Sequence, residues 1–320
     1  MLKIAVFLSA FGLSLVMGRF FVRYAAQFFK AKARQWTPQT HQIKNNTPTM
    51  GGIFIVLSAV ITTLFCVKLS NPLVLVGLLC LLSFAAIGAW DDWGKIFYKK
   101  GISARSKFIA QIGASCLVVG AWLYVVGPST TVFIPLLGVI DLGLLFIPWA
   151  VFIMIATSNA VNLTDGLDGL ATSNLLPNFA FFGFIAASLH GVFVQDLVLL
   201  SASLCGALLG FLWYNRYPAK VFMGDVGSLA LGATLGFMAL ATHQEFLLVL
   251  TGIIFVAETV SVMLQVCVFR YFKKRIFKMT PIHHHFELIG WAETKITFCF
   301  FIITVVCSCL ALIWFKISLY

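Results

Sequence analysis

Residues 72–95 read PLVLVGLLCLLSFAAIGAWDDWGK, an apolar run interrupted only by small residues and closing on two adjacent carboxylates, Asp91 and Asp92, between Trp90 and Trp93. Such a run fits hydrocarbon, because about 20 helical residues rising 1.5 Å each cross a bilayer core of about 30 Å. A barrel strand would alternate apolar and polar residues over about ten positions, and this run does not alternate. A closed helix is the expected unit, since every unpaired amide in lipid costs several kcal/mol.

Working outward, the same pattern recurs along the chain. Windows of about nineteen residues place ten candidate helices near Ile4–Phe21, Met50–Val67, Pro72–Ile87, Phe108–Val126, Leu144–Ala160, Leu175–Leu189, Leu197–Trp213, Ser228–Ala241, Phe246–Phe269 and Ile296–Ile317. The β-branched, proline-bearing stretch Thr131–Leu142 reads as a short extended hairpin. The expected fold is an all-α integral membrane protein of about ten transmembrane helices, a single polytopic domain over residues 1–320. Composition agrees, because 61% hydrophobic and 10% charged residues, with a mean hydropathy of +0.99, leave too few polar groups to cover a water-soluble globule. The eight cysteines lie in apolar runs without a C-x-x-C pair and read as small buried hydrophobes. The apolar N-terminus with its early Lys3 resembles a signal peptide, but it lacks a small-residue cleavage site and ends at Arg19 and Arg23, so it is expected to stay as the first span.

Lysine and arginine set the expected orientation. With the first connection inside, 19 of the 22 basic residues fall on inner connections and 3 (Lys3, Lys68, Lys316) outside, which places both termini on the outer side. The formal charge of +11 is then largely topological, with attraction to anionic lipid and anionic substrates. Nucleic acid is excluded as a partner, because no soluble basic domain exists to hold it. Carboxylates contribute little to topology, yet Asp91, Asp92, Asp165, Asp168, Asp225, Glu287 and Glu293 all belong to inner connections, while Glu258 lies within a span. A shared site in a cleft on the cytoplasmic face accounts for that gathering.

Four clusters and one loop carry chemistry. Asp91 and Asp92 repel unless a cation or proton relieves them, and Lys95 is near in sequence. The bland alternative is a solvated helix end, against which the flanking tryptophans place the pair at headgroup level. In Asn162-Leu163-Thr164-Asp165-Gly166-Leu167-Asp168-Gly169, two aspartates each followed by glycine suit a turn that presents carboxylates and amides to a polar ligand, or an ordinary Asx turn. An EF-hand is excluded for want of the closing glutamate. In Asn215 to Ser228, Asp225 precedes a helix start and is either a cap or a metal ligand, and Phe222 offers a flat face to a base or to packing. Consecutive His283, His284 and His285 project in different directions and fit one zinc poorly, whereas imidazoles donating to phosphate suit the preceding basic stretch Arg270 to Lys278. The loop Lys44 to Gly52, with Thr49 and paired glycines, adds a weaker ligand-approach signal.

In this order, Lys44 to Gly52, Asp91-Asp92, Asn162 to Gly169, Phe222 to Ser228 and Thr280 to Glu287, the motifs closely resemble the phospho-N-acetylmuramoyl-pentapeptide transferase family across His41 to Lys295. Asn46 departs from the family pattern, which has glycine there. The resemblance implies Mg²⁺-dependent transfer of phospho-MurNAc-pentapeptide from UDP-MurNAc-pentapeptide to undecaprenyl phosphate in a bacterial inner membrane, giving lipid I and UMP. It implies ten transmembrane helices with a bent ninth, often assembled as a homodimer. On this sequence it assigns Mg²⁺ to Asp225, the phosphate region to Asp91, Asp92, His283, His284 and His285, uridine to Lys44, Asp168, Asn215 and Phe222, and the adjoining pocket to Thr49, Asn162 and Asp165.

The chemistry agrees with those roles. Phosphate attacking diphosphate crowds negative charge, which Lys95, Lys107 and the histidines neutralise. Asp91 or Asp92 is the expected base on undecaprenyl phosphate, with a covalent aspartyl intermediate as the open alternative. The rival enzyme is a transferase of N-acetylglucosamine 1-phosphate to the same lipid, disfavoured by the triple histidine followed by Phe286-Glu287. A nucleotide-sugar or lipid-phosphate transporter is the rival of another class. It would place charges at the midplane, where only Glu258 is a candidate.

Overall fold

A computed structural model describes residues 1–25, 27–29, 47–66, 71–134, 137–189, 191 and 193–317. Its helices are α1 (Leu2–Phe20, continued by a π-helical turn Phe21–Ala25), α2 (Gly52–Cys66), α3 (Pro72–Phe97), α4 (Ala104–Val125), α5 (Phe146–Thr164), α6 (Leu170–Ser188), α7 (Leu197–Asn215), α8 (Gly224–Ala241), α9 (Glu245–Thr251), α10 (Ile253–Phe272), α11 (Ile282–Leu288) and α12 (Glu293–Ile317). Among the described residues nine helices are long and apolar enough to cross a membrane, and α2, with 15 residues, is shorter. The protein is an all-α integral membrane protein. Its only strands among the described residues are β1 (Thr131–Ile134) and β2 (Gly138–Asp141), an antiparallel hairpin that pairs Thr131 with Asp141, as the β-branched stretch predicts.

Several boundaries differ from the hydropathy reading, most of them where polar residues hide a helical backbone. Helix α3 runs ten residues past Ile87, so Asp91 and Asp92 stand on its last turns instead of in a connection. Helix α8 begins at Gly224, four residues before Ser228, which puts Asp225 inside its first turn and not ahead of it. The run 246–269 is divided at Gly252 into α9 and α10. Kinks of this sort localise at glycine, and an apolar run carries no sign of one.

Helix α8 is the axis of the bundle. Every residue from Val226 to Ala241 is buried, with α2, α3 and α5 packed around it. Small residues allow that approach, as is usual where lipid gives helices no hydrophobic reason to associate. Gly227 meets Gly52 of α2, Gly232 meets Thr157 and Ser158 of α5, and Gly88 of α3 meets the Asp225 backbone. Ser158 Oγ donates to Leu229 O at 3.0 Å, adding a buried hydrogen bond to the α5–α8 contact. By contrast α1, α4, α10 and α12 turn apolar side chains outward, among them Leu8, Ile109, Leu117, Met263, Phe298 and Ile313. Cys116, Cys267 and Cys309 share these outward faces, which corrects the reading of all eight cysteines as buried, while Cys80 and Cys205 are buried as expected. An outward face is apolar in lipid, so hydropathy alone does not separate it from a core.

Candidate active site

One end of α8 gathers the carboxylates. Asp91 and Asp92 arrive from the last turns of α3 and Asp225 from the first turn of α8, so that ligand oxygens of all three lie within 4.8 Å of one another. The close crossing at Gly88 brings them together. Gly224, at φ +73°, lets the chain enter α8 directly beside Asp92, where a Cβ would sit 2.5 Å from Asp92 Oδ2. Asp92 Oδ2 accepts from Val226 N at 3.1 Å, and Asp91 Oδ1 accepts from Ile102 N at 2.8 Å.

Two lysines answer the three charges. Lys95 Nζ stands 2.8 Å from Asp91, 3.2 Å from Asp92 and 2.9 Å from Asp225. Lys107, from α4, is paired with Asp225 Oδ2 and lies 3.6 Å from Asp91. Asn162 of α5 donates to Asp225 Oδ1 at 3.1 Å and to Ser228 Oγ at 2.8 Å. Lys95 thus shows that a cation sits well among these carboxylates. Three hard oxygen donors are also the chemistry Mg²⁺ takes, alongside phosphate oxygens and water. Asp91 and Asp92 therefore join Asp225, the single ligand expected from sequence, as candidate metal ligands.

The turn after α5 continues the cleft. Asp165, just beyond the end of α5, has a carboxyl pushed up to about 8 by its burial and then by the charges of Asp225, Asp92 and Asp168. His283, on α11, lays its ring edge against Gly166, where a Cβ would be 2.2 Å from Nε2. The expectation that consecutive histidines project apart holds only in part, because the rings of His283 and His284 meet with centroids 4.1 Å apart. His283 faces Gly166 and Glu258, His284 Nδ1 is 2.7 Å from Glu287 Oε2, and His285 Nδ1 accepts from Lys278 N at 3.2 Å with its ring edge-on to Phe277.

Asp168 and Asn215 lie behind this surface. Asp168 is buried, its Oδ2 accepting from Ala219 N at 2.9 Å and its N–H donating to Glu293 Oε1 at 2.5 Å. Asn215 is buried too. Its Oδ1 accepts from Gly169 N at 3.1 Å and from Thr172 Oγ1 at 2.9 Å, and its Nδ2 donates to Val221 O at 3.0 Å. Both tie the α5–α6 turn to the segment that presents Phe222, which is partly exposed. That segment pairs with the stretch leading into α2 through main-chain bonds, Phe222 N to Pro48 O at 2.8 Å, Gly51 N to Phe222 O at 2.9 Å and Gly52 N to Met223 O at 2.8 Å. The pairing sets Thr49 next to Gly224 and so beside the carboxylates. Lys44 lies outside the described residues.

Sequence reasoning left Glu258, Gly166 and Glu293 without a role. The signal for Glu258 was present, as the one acid inside a candidate span. Nothing in the sequence marked Gly166 as the seat of a histidine ring.

Comparison with known proteins supplies the rest. Residues 74–243 match glycosyl transferase family 4, and residues 44–56 match phospho-N-acetylmuramoyl-pentapeptide-transferase signature 1. The chain is 45% identical over 339 residues to the phospho-N-acetylmuramoyl-pentapeptide-transferase of Helicobacter hepaticus, covering 97% of this chain and 93% of that one. It is 45% identical to the protein so named in Campylobacter lari (88% and 85% covered) and 43% identical to that of Caldanaerobacter subterraneus (93% and 94% covered).

Proposed function

The chain belongs to the phospho-N-acetylmuramoyl-pentapeptide-transferase family, within glycosyl transferase family 4, and we propose that it transfers phospho-MurNAc-pentapeptide from UDP-MurNAc-pentapeptide to undecaprenyl phosphate, giving lipid I and UMP. The observation that carries this reading is the meeting of Asp91, Asp92 and Asp225 with Lys95 and Lys107 at one end of a membrane bundle. The count of basic residues supports a reading in which that end faces the cytoplasm and both termini lie outside, with the bacterial inner membrane as the site of action by analogy with the family. There a soluble nucleotide substrate and a lipid phosphate can meet. The whole chain acts as one polytopic unit, assembled as a homodimer by analogy with the family.

In the reaction an oxygen of undecaprenyl phosphate attacks the phosphorus attached to MurNAc, and the bond from that phosphorus to the oxygen of UMP breaks. Asp225, with whichever of Asp91 and Asp92 does not serve as the base, would hold Mg²⁺, which would neutralise charge on the diphosphate. Lys95 and Lys107 place two ammonium groups where that charge concentrates, which matters most in a site partly closed to water. Asp91 or Asp92 takes the remaining proton of the lipid phosphate, raising its nucleophilicity. Phe222 offers its ring to the uracil, with Lys44 and the Asp168–Asn215 framework around it and Thr49, Asn162 and Asp165 along the adjoining pocket. His283, His284 and His285 lie on the phosphate side.

Purified protein in detergent, given both substrates and Mg²⁺, is expected to release UMP, and an Asp225→Ala control is not. No UMP above that control rejects the enzyme reading. UMP from UDP-N-acetylglucosamine in place of the muramoyl substrate transfers the assignment to the rival transferase.

A further inference from the structure

Glu258 takes no part in the steps above, yet it is fully buried in α10, a helix that otherwise turns apolar side chains outward. An unpaired carboxylate in such a place costs several kcal/mol, and an ionisable group within a span calls for a partner. Its partner is His283, whose Nδ1 lies 3.1 Å from Glu258 Oε1 and whose backbone N–H points to Oε2 at 3.4 Å. Two turns along α10, Gln265 Oε1 accepts from Ile276 N at 3.2 Å and Phe277 N at 3.0 Å. One polar stripe of α10, Glu258 and Gln265, therefore holds both α11 and the loop that leads into it.

The consequence falls on the other ring nitrogen. His283 is itself fully buried; its Nδ1 stands 3.1 Å from Glu258 Oε1, within ion-pair reach but out of line for a hydrogen bond, whereas its Nε2 has neither a hydrogen-bond nor an ion-pair partner among the described residues. Nε2 lies against Gly166, next to Asp165, on the turn that borders the carboxylate cluster. Buried polar atoms are rarely left without a partner, so this one awaits a ligand atom. A carboxylate that accepts from one imidazole nitrogen fixes the tautomer and the ring plane, and so decides which nitrogen faces the ligand.

We propose that Glu258 is a positioning residue that holds the proton of His283 on Nδ1 and presents Nε2 to the phosphate groups of the substrate. This rests on the transferase reading for the identity of the ligand, though not for the pair itself. The first test needs no turnover. In ¹⁵N spectra of full-length protein labelled at its histidine rings, with His283 assigned by its loss in His283→Gln, a protonated Nδ1 is expected in the wild type, and a bare Nδ1 overturns the proposal. The second test is kinetic. Glu258→Gln keeps the shape of the side chain, and it is expected to lower kcat at least about tenfold, as loss of an outer partner of a working histidine does, with KM within roughly threefold. On a His283→Gln background the same change should cost nothing further. Equal losses on both backgrounds, or a wild-type kcat in Glu258→Gln, overturn it. Absence of UMP from the wild type would instead strike the transferase reading, leaving the spectra to judge the pair.

Discussion

Replacing Gly88 with alanine adds one methyl group and changes no charge, yet it is expected to disable the site. The new Cβ would lie 2.2 Å from Asp225 O and 2.4 Å from its carbonyl carbon, about 1.2 Å short of the 3.4 Å at which ordinary contact begins. Both atoms are backbone, so no side-chain rotation relieves the clash and α3 must move away from α8. A shift of that size takes the bond between Val226 N and Asp92, now 3.1 Å, beyond hydrogen-bonding range. It also draws Asp225 away from Lys95. Misplacement of about 1 Å in a preorganised site costs on the order of a hundredfold in rate, while overpacking costs about 1–3 kcal/mol of stability. The assay is UMP release at saturating substrate, read beside the thermal midpoint in detergent. Gly120→Ala is the control, because α4 offers that Cβ nothing within 4 Å. If Gly88→Ala folds and turns over at the wild-type rate, the spacing of α3 and α8 does not govern the chemistry.

Asp225→Asn, Asp92→Asn and His283→Ala should each lower kcat by at least roughly a hundredfold, and a near-normal rate in any one removes that residue from the site. Gly166→Ala should approach His283→Ala in its effect, since its Cβ would occupy the space 2.2 Å from His283 Nε2, and wild-type kinetics would show that the ring has room to move. Asp165, raised to about 8, keeps in the folded state a proton that the unfolded chain loses near 3.9, so its contribution to stability is complete below about 4 and is lost as pH rises toward 8. Without divalent cation, the thermal midpoint of the wild type should therefore fall relative to that of Asp165→Asn between pH 5 and 8 and run parallel above, and a constant difference across the whole range would mean that Asp165 is ionised throughout.

The apolar runs were legible because lipid imposes one rule on every residue of a span. The hairpin at 131–141 was legible from its β-branched residues for a similar reason. The helical ends were not. Asp91, Asp92, Lys95 and Asp225 are polar, so a hydropathy window stops short of them, although the backbone stays helical as far as Phe97 and from Gly224 onward. The gathering of acids on one face was also readable, since their placement did not follow the basic residues that set topology. Which atoms met was not readable, because Lys95 reaching three carboxylates depends on the crossing at Gly88, and a glycine in an apolar run gives no hint of what will lie against it. Nothing in three consecutive histidines tells that the rings of His283 and His284 meet, or that His283 lies against Glu258, twenty-five residues earlier in the chain.

The seam between residues 48–52 and 222–223 carries three main-chain hydrogen bonds. Bonds of this kind depend on the number of residues along the seam. Deleting one residue between Pro48 and Gly52 would slide Gly51 past the Phe222 carbonyl and carry α2 away from the start of α8. Functional versions of this chain should accordingly keep that stretch at one length.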